Sequence, residues 1–358
     1  MAELFGQSMS RMQILERVGN IAQLCDARMM EFTEGRATGV RTVEVTTGSG
    51  FAFTIVPSRC LDISRASFKG VPLAWQSAVG ETSPFSYQPE GMEWLRGFFG
   101  GLLTTCGLSY SSHPCEDEGE LLGLHGRAAN IPAEDVAVTR TWDGDEYRLS
   151  ISGIVREVGV FKDNLVLHRT IETSLGASTL RITDRIRNAG FRDSPLMMLY
   201  HINPGWPIVS EHSHLIAPVG GSTYFDENAR SEPDQWSSFL PPQENYSERC
   251  YLHDMVPDRN GSVRLALVNE TMGIGVSMTY PKAEFPRFIQ WKMMNRGEYV
   301  VGIEPGNITG NRVQMRADGT LEMLAPGEER TFSIELGVLS GIEEIKNFTR
   351  SIKELTVS

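Results

Sequence analysis

Through most of the central chain, hydrophobic and polar positions alternate with a period of two. Phe51, Phe53 and Ile55 alternate with Ala52, Thr54 and Val56, and Tyr147, Leu149 and Ile151 fall on one side of their segment. Leu180, Ile182 and Ile186 are separated by Arg181, Thr183, Arg185 and Arg187. A strand with one buried face has this period. Turn signals recur between such segments, among them Thr47-Gly48-Ser49-Gly50, Asp143-Gly144-Asp145, Asn188-Ala189-Gly190, Arg259-Asn260-Gly261 and Pro326-Gly327. Many short strands with closely spaced turns predict a mainly β protein, a large sandwich of antiparallel sheets, and not alternating βαβ units. At both ends the spacing becomes helical. Met12, Ile14, Leu15, Val18, Ile21 and Leu24 predict a helical segment within residues 1–35. Ile342, Ile345, Phe348, Ile352 and Leu355 predict a C-terminal helix over 341–356, packed on that segment. No repeat or low-complexity linker divides the 358 residues, so one sandwich domain over 1–358 is expected.

Composition narrows the function classes. With 33 basic and 45 acidic side chains the chain carries a net charge of −12. A polyanion needs a basic face, which argues against a nucleic-acid or anionic-membrane partner and leaves small molecules open. The N-terminus lacks the basic and apolar regions of a signal peptide, and no apolar run approaches the roughly 18 residues of a membrane span. A cytoplasmic protein is expected. Five scattered cysteines, never in a Cys-x-x-Cys pair, signal neither a disulfide framework nor a thiolate zinc site. No Gly-x-Gly-x-x-Gly or Gly-Lys-Ser/Thr loop supports a nucleotide site. Gly100-Gly101 reads as a close-packed strand bend, residues 111–120 as a flexible insertion, and residues 226–245 as an irregular stretch able to overhang a site.

Candidate chemistry lies in three contexts. His125 sits between glycines in Leu124-His125-Gly126-Arg127. His201 ends an apolar run before Ile202-Asn203-Pro204-Gly205-Trp206. Glu304 follows an apolar strand just before Pro305-Gly306. A carboxylate at a sheet rim can be tuned by burial toward a general base's working range. Each of the three could instead be an ordinary core or strand-end residue. His212-Ser213-His214 has the alternate-residue spacing that would let two imidazoles share a metal, but no third ligand accompanies it, so no metal is expected.

Five motifs in order resemble the aldose 1-epimerase (galactose mutarotase) superfamily, in an uncharacterised branch. They are Pro57-Ser58-Arg59-Cys60-Leu61-Asp62-Ile63, Gly100-Gly101-Leu102-Leu103-Thr104-Thr105-Cys106-Gly107-Leu108, Leu124-His125-Gly126-Arg127, Tyr200-His201-Ile202-Asn203-Pro204-Gly205 and Gly302-Ile303-Glu304-Pro305-Gly306-Asn307. The resemblance implies a β-supersandwich holding a sugar on the concave face of a large antiparallel sheet, with no metal or organic cofactor. It implies Glu304 as base, His201 as acid and His125 as a hydrogen-bonding partner of the ring-oxygen region, acting together to open and reclose a hemiacetal. Arg59, Asp62, Arg127, Asn203 and Lys292 are polar residues beside these motifs that could hold hydroxyls or an acidic group. Trp75, Trp206 or Trp291 could supply an apolar platform. The expected partner is a free sugar, with homo-oligomers possible. A carbohydrate-binding or regulatory protein without efficient turnover, and another sugar isomerase or lyase, are the competing readings.

Overall fold

A computed structural model describes residues 1–357. Its scaffold is three antiparallel sheets. The eight-stranded sheet runs, in spatial order, Glu134–Asp143, Glu146–Val158, Asn164–Ser174, Thr179–Asn188, Glu329–Ser340, Ile274–Pro281, Ser262–Asn269 and Ser213–Ile216. A six-stranded sheet runs Val219–Tyr224, Arg249–Met255, Arg287–Asn295, Glu298–Gly306, Leu199–His201 and Thr104–Cys106. A five-stranded sheet runs Asp26–Glu31, Arg41–Thr46, Phe51–Val56, Asp62–Phe68 and Val71–Pro72. The paired bonds between Ile63 and Leu103, both 3.1 Å, bring the five- and six-stranded sheets edge to edge.

The period-two segments become strands because one face of each meets a common core. Leu149, Ile151, Val155, Leu167, Ile182, Ile186, Ile334 and Leu336 of the eight-stranded sheet share one cluster with Phe53, Ile55 and Ile63. Tyr200, Ile202, Val301 and Ile303 of the six-stranded sheet join the same cluster. Burial of these side chains is the main favourable term in folding. Strand Glu298–Gly306 departs from alternation: after Glu298 every residue is buried. Its second face is covered by an apolar layer including Trp94, Phe98, Tyr110, Leu122, Leu124, Ile308 and Met315.

Several local expectations are corrected. The N-terminal helix is not formed. Residues 1–35 instead hold the hairpin Ala2–Leu4 with Gln7–Met9, a five-residue helix Arg11–Leu15, one 3-10 turn Ile21–Gln23 and the strand Asp26–Glu31. Ser10 and Gln13 form a capping box, but only Ile14 of the short helix is buried. Asn20 caps a separate turn, and Asp26–Glu31 gains a ladder with Arg41–Thr46. The C-terminal helix exists as Ile342–Val357 but packs elsewhere. Ile345, Phe348 and Ile352 rest on Ala266, Val268 and Leu339, the outer face of the eight-stranded sheet. Residues 111–120 are pinned, since Cys115–Asp117 pairs with Glu120–Leu122 and the buried Asp117 accepts from Arg312 at 2.6 Å and Arg316 at 2.8 Å. The stretch over 226–245 covers the core side of the six-stranded sheet: the backbone oxygens of Gln235 and Trp236 accept from Lys292 and Gln290 there.

Candidate active site

Side chains of directly opposed ladder residues share a face. Ile289 opposes Glu304, Trp291 opposes Gly302, and Cys250 opposes Trp291, which places all of them on the side of the six-stranded sheet away from the sandwich core. The bridge between Ile202 and Ile303 sets His201 beside Glu304. Tyr200, one residue earlier than His201, points into the core instead. Strand parity therefore sends the adjacent side chains of Tyr200 and His201 to opposite faces of the sheet.

His201 and Glu304 are buried, and His201 Nδ1 lies 3.3 Å from Glu304 Oε1. Asn203 fixes the imidazole. Its Nδ2 donates to the backbone oxygens of His201 at 2.8 Å and Gly100 at 3.3 Å, so its Oδ1 faces His201 Nδ1 at 2.5 Å. An oxygen there requires the proton on Nδ1, leaving Nε2 as the ring's working atom. The Gly100 carbonyl that anchors Asn203 belongs to the glycine bend. A Cβ at Gly100 would meet Trp75 at 2.7 Å, and one at Gly101 would meet the Ile63 oxygen at 2.5 Å.

His125 is delivered by a tight turn. It sits at φ 54° and is followed by Gly126 at φ 73°, where a Cβ would fall 2.1 Å from the Tyr110 oxygen. The His125 ring stands edge-on to His201 with centroids 5.7 Å apart and to Trp94 at 4.9 Å. Phe98 and Trp291 flank His201 at 5.1 and 5.5 Å, and Trp75 stands 6.4 Å from Trp291. Among these residues three enclosed polar atoms lack partners, Trp94 Nε1, His125 Nδ1 and Glu304 Oε1.

Burial governs the electrostatics. It raises the proton affinity of Glu304 well above that of an ordinary carboxylate, with the nearby negative charge of Glu248 adding to the effect. It lowers His201 from 6.5 to about 4 against the opposing pull of Asn203. His125 is pushed well below 6.5 by burial, then by His201 and His113. The same desolvation thus favours the uncharged form of every member.

His125, His201, Asn203 and Glu304 are brought together, with Trp75 and Trp291 on the wall. The other polar residues singled out from the motifs are not. Arg59 is locked in the interior, donating to Ala129 O at 2.6 Å, Thr82 Oγ1 at 2.9 Å and Gly97 O at 2.9 Å. Asp62 accepts from Thr105 Oγ1 at 2.6 Å and Arg169 Nη1 at 3.0 Å, in a core network that continues to Asp184 and Tyr200. Lys292 opposes Val301 and Arg249 on the core side, where its Nζ donates to Gln235 O at 2.8 Å. Arg127 turns toward Glu120 at 4.0 Å. Trp206 is 70% exposed. His168 lies in the eight-stranded sheet, and His253 is held on the core side by Ser222 and Gln290. His212 and His214 are exposed, and among the described residues no group of three His, Cys, Asp or Glu could hold a metal ion.

Trp94, Phe98 and Glu248 join the site without belonging to any of the five motifs, and Gly302 belongs to one without standing out in it. The aromatic run Trp94-Leu95-Arg96-Gly97-Phe98-Phe99 just before the glycine bend was the available signal for the first two. Gly302 could have been read from its place two residues before Glu304, on the same strand face. Glu248 has no local signal. It is recognised only because its Oε2 accepts the Trp291 indole N–H at 2.9 Å.

Solved structures share this architecture. A candidate aldose 1-epimerase from Klebsiella pneumoniae subsp. pneumoniae MGH 78578 matches with a TM-score of 0.89 at 24% identity, over 94% of this chain and 91% of that one. A galactose mutarotase-like protein from Clostridium acetobutylicum matches at 0.61 and 14% identity, over 89% and 99% of the two chains. Galactose 1-epimerase from Lactobacillus acidophilus NCFM matches at 0.57 and 11% identity, over 88% and 99%. The shared fold is the galactose mutarotase-like β-sandwich. No curated protein sequence matches the chain. Residues 37–338 match the profile of a family described as a domain of unknown function, DUF4432, and the chain belongs to that family.

Proposed function

We propose that this protein interconverts the α and β anomers of a free aldose by acid–base ring opening at His201 and Glu304. The observation that carries the reading is the 3.3 Å approach of these two buried groups within an aromatic wall, with Glu304 Oε1 and His125 Nδ1 both unpartnered. Buried polar atoms are ordinarily satisfied, so orphans on residues packed around His201 fit a place where a polar ligand completes them.

In the ring-opening step the one proton of the pair passes from Glu304 to His201, which becomes an imidazolium with protons on both Nδ1 and Nε2; the Glu304 carboxylate then takes the proton of the C1 hydroxyl while His201 Nε2–H protonates the ring oxygen. The C1–O5 bond breaks as the C1–O1 bond becomes a carbonyl. Rotation about C1–C2 and addition of the C5 hydroxyl to the other carbonyl face reverse these transfers, returning both protons. Nothing is consumed, so the chemistry itself calls for no metal or organic cofactor. The pair needs one proton between its two members, and the ligand's own hydroxyl and ring oxygen replace water as their partners. His125 supplies a hydrogen bond to the ring-oxygen side, and Phe98, Trp75 and Trp291 offer apolar faces for a pyranose. Each positioned acid or base contributes roughly 10² to 10⁴ in rate.

The partner under this reading is a small sugar rather than a nucleic acid or membrane, and the working location is the cytoplasm. Among the described residues no helix is long and apolar enough to cross a membrane. Exchange NMR with a panel of free aldoses tests the proposal. Protein-dependent α/β exchange supports it; saturation transfer to a bound sugar without exchange favours a binding protein instead.

A further inference from the structure

One charged side chain reaches the pair from the rim. Glu248 is exposed and immediately precedes strand Arg249–Met255, and its Oε2 accepts the Trp291 indole N–H at 2.9 Å. Trp291 stands 5.5 Å from His201 and opposes both Cys250 and Gly302 in the ladder, while the Glu304 carboxylate folds over Gly302. Glu248 therefore stands at the mouth of the site on the Glu304 side. Its negative field reaches both Glu304 and the Cys250 thiol.

The cations that the motifs place nearby in sequence do not balance it. Arg59 is spent on interior carbonyls, Lys292 lies on the opposite sheet face, and Arg127 is half exposed and turns toward Glu120 at 4.0 Å. Burial disfavours a standing positive charge on His201 and His125. Recognition of a sugar carboxylate or phosphate normally uses a fixed arginine fork or an ammonium, since an anion stripped of water needs charge-assisted donors. Here such a group would lose water and meet two carboxyl side chains. A sugar hydroxyl, by contrast, can donate to the remaining lone pairs of Glu248, and an ammonium substituent gains a counter-charge.

Resting on the anomerisation reading above, we propose that Glu248 is the specificity-determining residue of this site, and that the site accepts uncharged or ammonium-bearing sugars and rejects sugar acids and sugar phosphates.

The test compares one aldose with its uronic acid, its 6-phosphate and its 2-amino-2-deoxy derivative in wild-type protein, Glu248→Gln and Glu248→Lys. Exchange NMR gives kcat and KM, and saturation transfer gives binding independently of turnover. Glu248→Gln keeps an oxygen acceptor for Trp291 and removes only the charge. Wild-type protein should favour the uncharged over the anionic sugar by at least about threefold in KM, the size expected of one rim charge. The preference should shrink in Glu248→Gln, reverse toward the anion in Glu248→Lys, and weaken as salt rises. Two results overturn the proposal: wild-type protein handling the uronic acid or phosphate as well as the uncharged sugar, or an anion-to-neutral ratio unaltered by both substitutions. Binding without exchange, with the ratio shifting as stated, removes the anomerisation reading but retains Glu248 as the selector. Absence of both binding and exchange across the panel removes both.

Discussion

The carboxylate of Glu304 occupies the space above Gly302, so that a Cβ built on Gly302 would lie 1.9 Å from Glu304 Oε1. Residues two apart on a strand share a face, and here the earlier one must lack a side chain for the later one to fold back over the sheet. The obstruction is the far end of a flexible side chain, so a methyl group displaces the carboxylate and not the strand. Gly302→Ala should keep its melting temperature within a few degrees yet lose on the order of 10²-fold in kcat, the usual effect of moving a reacting group by about 1 Å. Thermal unfolding and exchange NMR on the same sample check this.

Asn203 acts on the reaction through His201. Asn203→Asp sets a carboxylate beside Nδ1, and a neighbouring negative charge raises the affinity of an imidazole for its second proton. The acid limb of the pH–rate profile should move upward from the position set by His201's depressed value of about 4. Asn203→Ala frees the ring and should lower kcat more than it alters KM. A profile unchanged by both variants would remove the positioning role.

The pair also predicts which group bounds each limb. Burial opposes the protonation of His201 and favours the protonation of Glu304, so the one-proton form ends at low pH when His201 takes its second proton and at high pH when Glu304 loses its own. The limbs belong to the coupled pair. Glu248→Gln withdraws a charge that helps retain the Glu304 proton, so the basic limb should shift to lower pH, measured as kcat against pH.

Buried neutral histidines make the fold acid-sensitive. His201 and His253 are both lowered from 6.5 to about 4 by burial. The unfolded chain then binds more protons between these values, so the stabilising contribution is complete above about pH 6.5 and is lost progressively as pH falls toward 4. Each site is worth roughly 3 kcal/mol at the bottom of that window by linkage. Urea unfolding across pH 4 to 7 should show the slope, and His253→Gln should lower it by about one proton while its midpoint at pH 7 falls because Ser222 loses its ring partner.

Two substitutions separate motif residues that fold from those that act. Arg59→Ala strands several buried carbonyls and should cost roughly 3 kcal/mol or more, with the KM of the folded fraction unchanged. Lys292→Met, on the core face, should leave sugar exchange within about twofold. A large KM effect from either in folded protein would return that residue to the site.

Strands were legible where burial is one-sided, as in Thr179–Asn188, because alternation in sequence records the two environments directly. The N-terminal stripe misled for the converse reason: Met12 and Leu15 have helical spacing but leave the core, and Ser10 and Asn20 cap two separate short turns. His125, His201 and Glu304 could be found because glycine, proline and apolar neighbours mark them locally. The side of the sheet on which Lys292 points could not be found that way, since it follows from the register that sets Ile289, not Lys292, opposite Glu304. Glu248 and Phe98 enter the site by contacts across 43 and 103 residues, and no local pattern encodes such contacts.

Glu304→Gln tests the central claim most directly. Glutamine preserves the size of the side chain and its ability to hydrogen-bond a hydroxyl, but it cannot take a proton at neutral pH. With the cognate aldose identified by exchange NMR, the variant should keep its fold and bind the sugar within about tenfold of wild type, while α/β exchange falls by at least roughly 10². A folded Glu304→Gln protein that exchanges the anomers as fast as wild type would contradict the account.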